Sequence, residues 1–282
     1  MATYKSIKYI IPTEAVEHTD SINALADVDT TTVAPSVGQT LKWSAANSRW
    51  QPADIEEAAA SSTQKALFGF GGLDYAGKTN ITNLVSSTGV VATDTTGVGT
   101  ARYGLAASSY GGDKAIFGFG NVTNITNLVS NTGVVGSDQT GVGTSREKLA
   151  AAGYGEDKAL FGFGGNGDVN FTAYNTTNLV SNAGVVASDT TGVGSARNGL
   201  AAASYGGDKA LFGFGFYNTG YEHERFNTTN LVSNTGVVAS DSTGVGTIRD
   251  ELACAGYGGD KAIFGFGYGA GSGGDWLNIT NL

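Results

Sequence analysis

Residues able to do acid–base, nucleophilic or metal chemistry are few in this chain. It has two histidines, His18 and His223, and one cysteine, Cys254. Only His223 sits among charges, in Glu222-His223-Glu224. A single such cluster on a loop is a metal site only if other ligands complete it, and otherwise it is a solvated loop. Asp94, Asp138, Asp189 and Asp241 recur at one place in four successive units. Such repetition points to a turn or crossover role, with repeated calcium sites as the alternative. The Gly-Val-Gly segments lack the Gly-Lys-Ser/Thr ending of a phosphate-binding loop, and their glycines read as turn residues. Cys254 stands where other units have Ala107, Ala151 and Ala202, so it is expected to be small, buried and inert. A glycosidase or lyase would need a unique carboxylate cluster, which near-identical units do not offer. No catalytic residue, metal site or cofactor is therefore assigned.

A second set of residues has the chemistry of recognition. Asp74 and Tyr75, then Asp168, Phe171 and Tyr174, then Tyr217, Tyr221, His223 and Arg225, and finally Tyr268 and Trp276 lie in segments that differ from unit to unit. Aromatic side chains on loops give contact area at low entropic cost, and these residues are the candidate binding surface.

What must position them is a repeat. Phe-Gly-Phe-Gly occurs at Phe68, Phe117, Phe161, Phe212 and Phe264, and a Thr-Asn-Leu ends at Leu84, Leu128, Leu179, Leu231 and Leu282. From Leu84 to Phe117, Leu128 to Phe161, Leu179 to Phe212 and Leu231 to Phe264 the distance is always 33 residues. From each phenylalanine to the following leucine it is 16, 11, 18, 19 and 18. One part is constant and the other free. Short Val- and aromatic-rich runs between Gly/Asn/Asp clusters read as strands. The second unit gives strand a at 105–110, b at 114–119, c at 126–130 and d at 133–138. Tight turns at 111–113 and 131–132 join a to b and c to d. Phe117 and Phe119, two positions apart, are expected on one face of strand b, with Ile116 on the other. Alternating connections put the a–b and c–d turns at one end of each unit and the free b–c loops at the other.

Four antiparallel strands per unit of forty to fifty residues suit a propeller blade. The unit also resembles the kelch family, with an arginine opening strand a (Arg102, Arg146, Arg197, Arg249), although Phe-Gly-Phe-Gly replaces the kelch Gly-Gly pair and the blade-ending tryptophan is lacking. The expected fold is all-β, a five-bladed kelch-like β-propeller over 37–282. The fifth blade lacks strand d, and a strand near 41–50 is expected to supply it and close the ring, with a separate stem hairpin as the alternative.

Residues 1–36 form a small N-terminal segment without repeat character, with a strand expected in 1–12 and a short helix in 15–26. The stretch Asp27-Val-Asp-Thr through Pro35, Gly38-Gln-Thr-Leu-Lys-Trp43 and Trp50-Gln-Pro-Ala-Asp54 resembles a module of tail-fibre and other appendage proteins of tailed bacteriophages, notably cyanophages. That resemblance implies a non-enzymatic virion component of the tail or another external appendage. Residues 1–36 would bind other virion proteins, and the loops would bind a host-surface glycan or protein. The alternative is a decoration or connector protein whose loops contact neighbouring subunits. Fibres of this kind are often trimeric, so a homotrimer is a candidate state, though no heptads mark one. A net charge of −9 disfavours nucleic-acid binding. No 18-residue apolar run or signal-peptide core appears, so neither membrane insertion nor export by the usual route is expected.

Overall fold

The computed structural model describes residues 28, 39–54, 65–73, 77–167, 172–218, 223–269 and 275–282. The described residues are all-β and antiparallel in their sheets, with no helix among them. The chain divides into two compact units, 1–64 and 65–282. In the first, β1 (Gln39–Ser44) and β2 (Arg49–Asp54) form a hairpin in which Trp43 faces Trp50 edge-on at 5.6 Å. The strand expected near 41–50 falls in this two-stranded sheet, in which β1 and β2 pair with each other. The strand and helix expected in 1–26 lie outside the described residues.

The second unit holds the repeats. The first has β3 (Ala66–Leu73) and β4 (Gly77–Val85). The second has β5 (Ala106–Tyr110), β6 (Lys114–Gly118) and β7 (Thr126–Val129), and the third has β8 (Ala150–Tyr154), β9 (Lys158–Gly162) and β10 (Thr177–Val180). The fourth adds a loop hairpin: β11 (Ala201–Tyr205), β12 (Lys209–Gly213), β13 (Phe216–Asn218), β14 (His223–Arg225) and β15 (Thr229–Val232). The fifth has β16 (Arg249–Asp250), β17 (Ala253–Tyr257), β18 (Lys261–Gly265), β19 (Tyr268–Gly269) and β20 (Thr280–Asn281). In the second to fifth repeats strands a, b and c form where expected, with b in the middle of each three-stranded sheet, and strand a of the first repeat lies outside the described residues. Strand d is less regular than expected. In the second unit it meets strand c only at the bridges Val129 to Val135 and Thr126 to Gln139. The wide hydrogen-bonded spans between those bridges leave Ser137 and Asp138 free to serve other contacts.

The core lies between consecutive units and is built by Phe-Gly-Phe-Gly. The first ring of each motif packs on the second ring of the motif before it. Phe70–Phe117, Phe119–Phe161, Phe163–Phe212 and Phe214–Phe264 all have centroids 5.1 Å apart. The two rings of one motif therefore point to opposite neighbours, contrary to the shared face expected from strand alternation. The backbone explains it: the second phenylalanine leaves the extended region in every unit, with φ of 62° at Phe70, 63° at Phe119, 62° at Phe163, 64° at Phe214 and 64° at Phe266. This left-handed residue breaks the period of two, so Phe119 joins Ile116, and Phe117 faces the other way.

The glycine between the rings is a slot. A Cβ on Gly162 would lie 2.6 Å from Phe212 Cζ, and one on Gly118 equally close to Phe161 Cζ. The incoming ring needs the backbone bare. Among the described residues, Phe68 and Phe266 have no ring packed on them in this way. Phe68 is 62% exposed and Phe266 is 60% exposed, whereas Phe161 and Phe212 are fully buried.

Phe161→Ala should lower unfolding free energy by ~3–5 kcal/mol, the usual cost of deleting a buried ring. Phe266→Ala should change it by less than ~1 kcal/mol, because that ring is mostly in solvent already. Urea titrations of both variants check this, and equal losses would contradict the buried-interface account.

Candidate interaction surface

Each unit has two distinct ends, and hydrogen bonds mark them. At one end the c–d turn bonds the a–b turn of its own unit: Asn131 Nδ2 donates to Asp113 Oδ2 at 3.1 Å, Asn182 to Asp157 at 2.9 Å and Asn234 to Asp208 at 2.9 Å. At the other end the asparagine closing the b–c loop holds the crossover. Asn124 Nδ2 donates to the Gly143 carbonyl at 2.7 Å, Asn175 to Gly194 at 2.6 Å and Asn227 to Gly246 at 2.6 Å. The two tight turns thus share one end, and the loops of varying length share the other.

The aspartates that recur through the units belong to the crossover. Asp189 accepts from the Thr144 N–H at 2.9 Å, the Thr144 hydroxyl at 2.6 Å and Asn178 Nδ2 at 2.8 Å. Asp138 and Asp241 have the same partners in their units. These oxygens are occupied by N–H and O–H donors. Behind them lies a fully buried arginine. Arg146 donates from Nε to the Phe163 carbonyl at 2.8 Å, from Nη2 to Asn178 Oδ1 at 2.6 Å and from Nη1 to the Thr144 carbonyl at 3.0 Å. Its guanidinium lies 4.2 Å from the Phe119 ring centroid of the preceding unit, and its Nη1 is 3.6 Å from Asp189. Burial draws the pKa of Arg146 and Arg197 down to about 10, offset in part by Asp189 and Asp241, so both stay charged at neutral pH. For Asp138, Asp189 and Asp241 burial pushes the other way, but the Thr/Ser and Asn hydrogen bonds and the arginine charge together leave each pKa below its usual value. Cys254 is partly buried, and burial lifts its thiol to about 12, as suits an inert packing residue.

At the loop end, the structure brings together three of the residues singled out from sequence. Arg225, on the β13–β14 hairpin, forms an ion pair with Asp250 at 3.0 Å and lies 4.9 Å from the Tyr268 ring centroid. Tyr268 meets Trp276 edge-on at 5.3 Å, and the two are bridged as antiparallel neighbours. Trp276 is 71% exposed, so a solvated indole stands on a base of paired charges. Tyr217 pairs with Glu224, and His223 with Asn218, across the hairpin. Tyr174 is half-buried beside the third crossover, where the Arg197 N–H donates to its carbonyl. Asp74, Tyr75, Asp168, Phe171 and Tyr221 lie outside the described residues.

Sequence reading missed Asp250 and its counterparts. The residue after each strand-opening arginine is Tyr103, Glu147, Asn198 or Asp250, and each meets the loop end. Tyr103 lies under Lys78 at 5.6 Å, Glu147 bridges Gly165, Asn198 bridges Phe216 and Asp250 pairs with Tyr268. One variable residue beside an invariant one was the available signal. At the opposite end a cavity of about 90 Å³ is lined by Tyr110, Tyr154, Glu156 and Lys158 among others. It falls below the roughly 300–1,000 Å³ of small-molecule sites, so an enclosed ligand is a poor fit there.

Comparison of the chain with protein-family models gives no match, and comparison with curated proteins gives none either.

Because the folded pKa values of Asp138, Asp189 and Asp241 lie below the ordinary carboxylate range, their stabilisation is fully present above about pH 4. It is lost as pH falls through the lowered native values. The melting midpoint should hold from neutrality to about pH 4 and then drop. Asp189→Asn should lower the midpoint at pH 7 and shrink the acid-induced drop; an unchanged acid profile in that variant would refute the assignment.

Proposed function

We propose that this chain is a non-enzymatic component of a phage virion, carried on the tail or another external appendage, whose five units are the blades of a kelch-like propeller array. Residues 1–36 attach it to other virion proteins, and the b–c loops recognise a host-surface glycan or protein. The observation that carries the reading is the segregation of variability. From each Thr-Asn-Leu to the next Phe-Gly-Phe-Gly the length is constant and the changes fall in the b–c loops, while the opposite end of the second, third and fourth units is built from the same Asp/Asn pair of turns.

The chemistry of the loop end agrees with that role. An exposed indole supported by Tyr268, with Arg225 neutralised by Asp250, offers a flat apolar face with polar neighbours. Such a face stacks on the C–H side of a sugar ring or on a protein side chain and needs no deep pocket. A connector protein remains the second reading, since loops of this composition also suit contact with neighbouring subunits.

The experiment shortens the fourth and fifth loops (216–226 and 268–278) to the second unit's Asn121–Asn124 loop and measures adsorption of assembled particles to host cells. Host recognition predicts normal assembly with adsorption reduced by about tenfold or more, as expected when aromatic anchors are removed. Unchanged adsorption by intact particles would overturn it, and failure of assembly would favour the connector reading.

A further inference from the structure

Where the fourth and fifth loops meet, an exposed indole stands on a base whose charges are already cancelled. Trp276 is 71% exposed, and the sequence before it, Gly269-Ala-Gly-Ser-Gly-Gly-Asp275, has no side chain bulkier than aspartate. Its ring meets Tyr268 edge-on at 5.3 Å, and the Arg225 guanidinium lies 4.9 Å from the same tyrosine ring. That guanidinium has its counter-ion: Nε is 3.0 Å from Asp250 Oδ1, with the two side chains 11% and 4% exposed. Arg225 is the only lysine or arginine in 216–227, and 268–278 has none. The same two loops carry the carboxylates Glu222, Glu224 and Asp275, of which Glu224 and Asp275 are exposed in the structure.

We infer that this junction binds a neutral pyranose of a glycan and discriminates against acidic sugars. The inference rests on the host-recognition reading of the loop end and names the ligand class for it. A pyranose presents ring C–H groups on one face and O–H donors at its edge. The C–H face suits a flat indole, which offers apolar area at low entropic cost. The O–H donors suit carboxylates, which only accept hydrogen bonds and make strong ones. A uronic acid or a sugar phosphate lacks this match. Its charge would lose water beside exposed carboxylates, and the one arginine of the two loops is already paired. A protein partner of ordinary size covers about 800 Å² on each side, whereas Trp276 is the one exposed aromatic among the described residues of these loops and matches the area of a single sugar ring. Asp250 then sets the charge preference, because without its carboxylate Arg225 would carry an uncompensated charge at the platform.

Saturation-transfer NMR titrations of the full-length chain test it. The probes are the methyl glycosides of glucose, galactose, mannose and N-acetylglucosamine, those of glucuronic and galacturonic acid, and acetyl-arginine amide as a stand-in for a basic protein side chain. At least one neutral glycoside should bind with a Kd on the order of millimolar, as expected of one stacked ring. The uronic acids should bind at least about tenfold more weakly. Trp276→Ala should lose the binding with an unchanged melting midpoint, and Trp276→Tyr should retain it within about threefold. Asp250→Asn should shrink the neutral preference to less than about threefold; if that variant does not fold, the two Trp276 variants decide. Binding of no neutral glycoside, equal binding of the uronic acids, tighter binding of acetyl-arginine amide, or binding that survives Trp276→Ala overturns the inference. So does a folded Asp250→Asn chain that keeps the full preference. Any of these results together with lost adsorption on loop shortening would leave host recognition standing. A neutral sugar held at Trp276 with unchanged adsorption would instead keep this site and remove its host role.

Discussion

Everything in the repeat region depends on a phenylalanine ring lying over a bare glycine of the unit before it. The contact asks for two departures from ordinary strand chemistry. Glycine weakens a strand by roughly 0.5–1 kcal/mol relative to alanine, and a left-handed phenylalanine costs on the order of 1–2 kcal/mol. Burying a phenylalanine returns about 1.5–3 kcal/mol, with about 0.5–1.5 more from tilted ring geometry. Two rings are buried at each junction, so inside the row the gain exceeds the strain. Phe266 carries the same φ of 64° with most of its ring in water, and there the balance reverses. An interior unit is therefore stable through its neighbours, as the nearest-neighbour physics of repeat proteins requires.

The arginine network adds what aromatic packing lacks, a fixed register. Rings can slide by fractions of an ångström at small cost, but a buried guanidinium cannot leave donors unpaired without losing several kcal/mol. Arg146 joins a carbonyl at the end of strand b, an asparagine on strand c and the crossover entering its own unit, while lying against the ring of the preceding one. One side chain thus ties together three segments of its unit and the junction behind it. The same aspartate that balances its charge also pins the preceding unit's crossover through Thr100, Thr144 or Ser195. Handing the charge to that crossover explains why the aspartate recurs with constant spacing without needing a cation.

Strands a, b and c and both tight turns were legible in the sequence because they obey local rules, a period of two bounded by glycine and polar clusters. The constant 33-residue span was legible as a scaffold for the same reason. The direction of Phe119 was not, since nothing in alternation signals a non-glycine residue at φ 63°. Neither was the interruption of strand d, where side-chain demands on Asp138 outweigh regular pairing. The arginines were visible as markers of strand a, but their burial depends on partners from segments far apart in sequence. Among the binding candidates, Arg225, Tyr268 and Trp276 were found individually. Their meeting through Asp250 is a tertiary fact that loop composition does not encode.

The same division explains why loops can vary here with little damage. Each b–c loop leaves strand b just after the left-handed phenylalanine and returns at an asparagine bonded to the crossover, so both of its ends are fixed before the loop begins. Closing the loop 216–226 in place of the shorter 121–124 costs only about 0.9 kcal/mol more in chain entropy by the logarithmic rule. That sum is small against the two buried rings at each junction. Loop length is then almost free for the scaffold, and what limits a loop is the residue following the buried arginine, where Tyr103, Glu147, Asn198 and Asp250 each meet a different neighbour. Variation at that position has to track variation in the loop it touches, and the Asp250 ion pair with Arg225 is the case in which the match is one of charge.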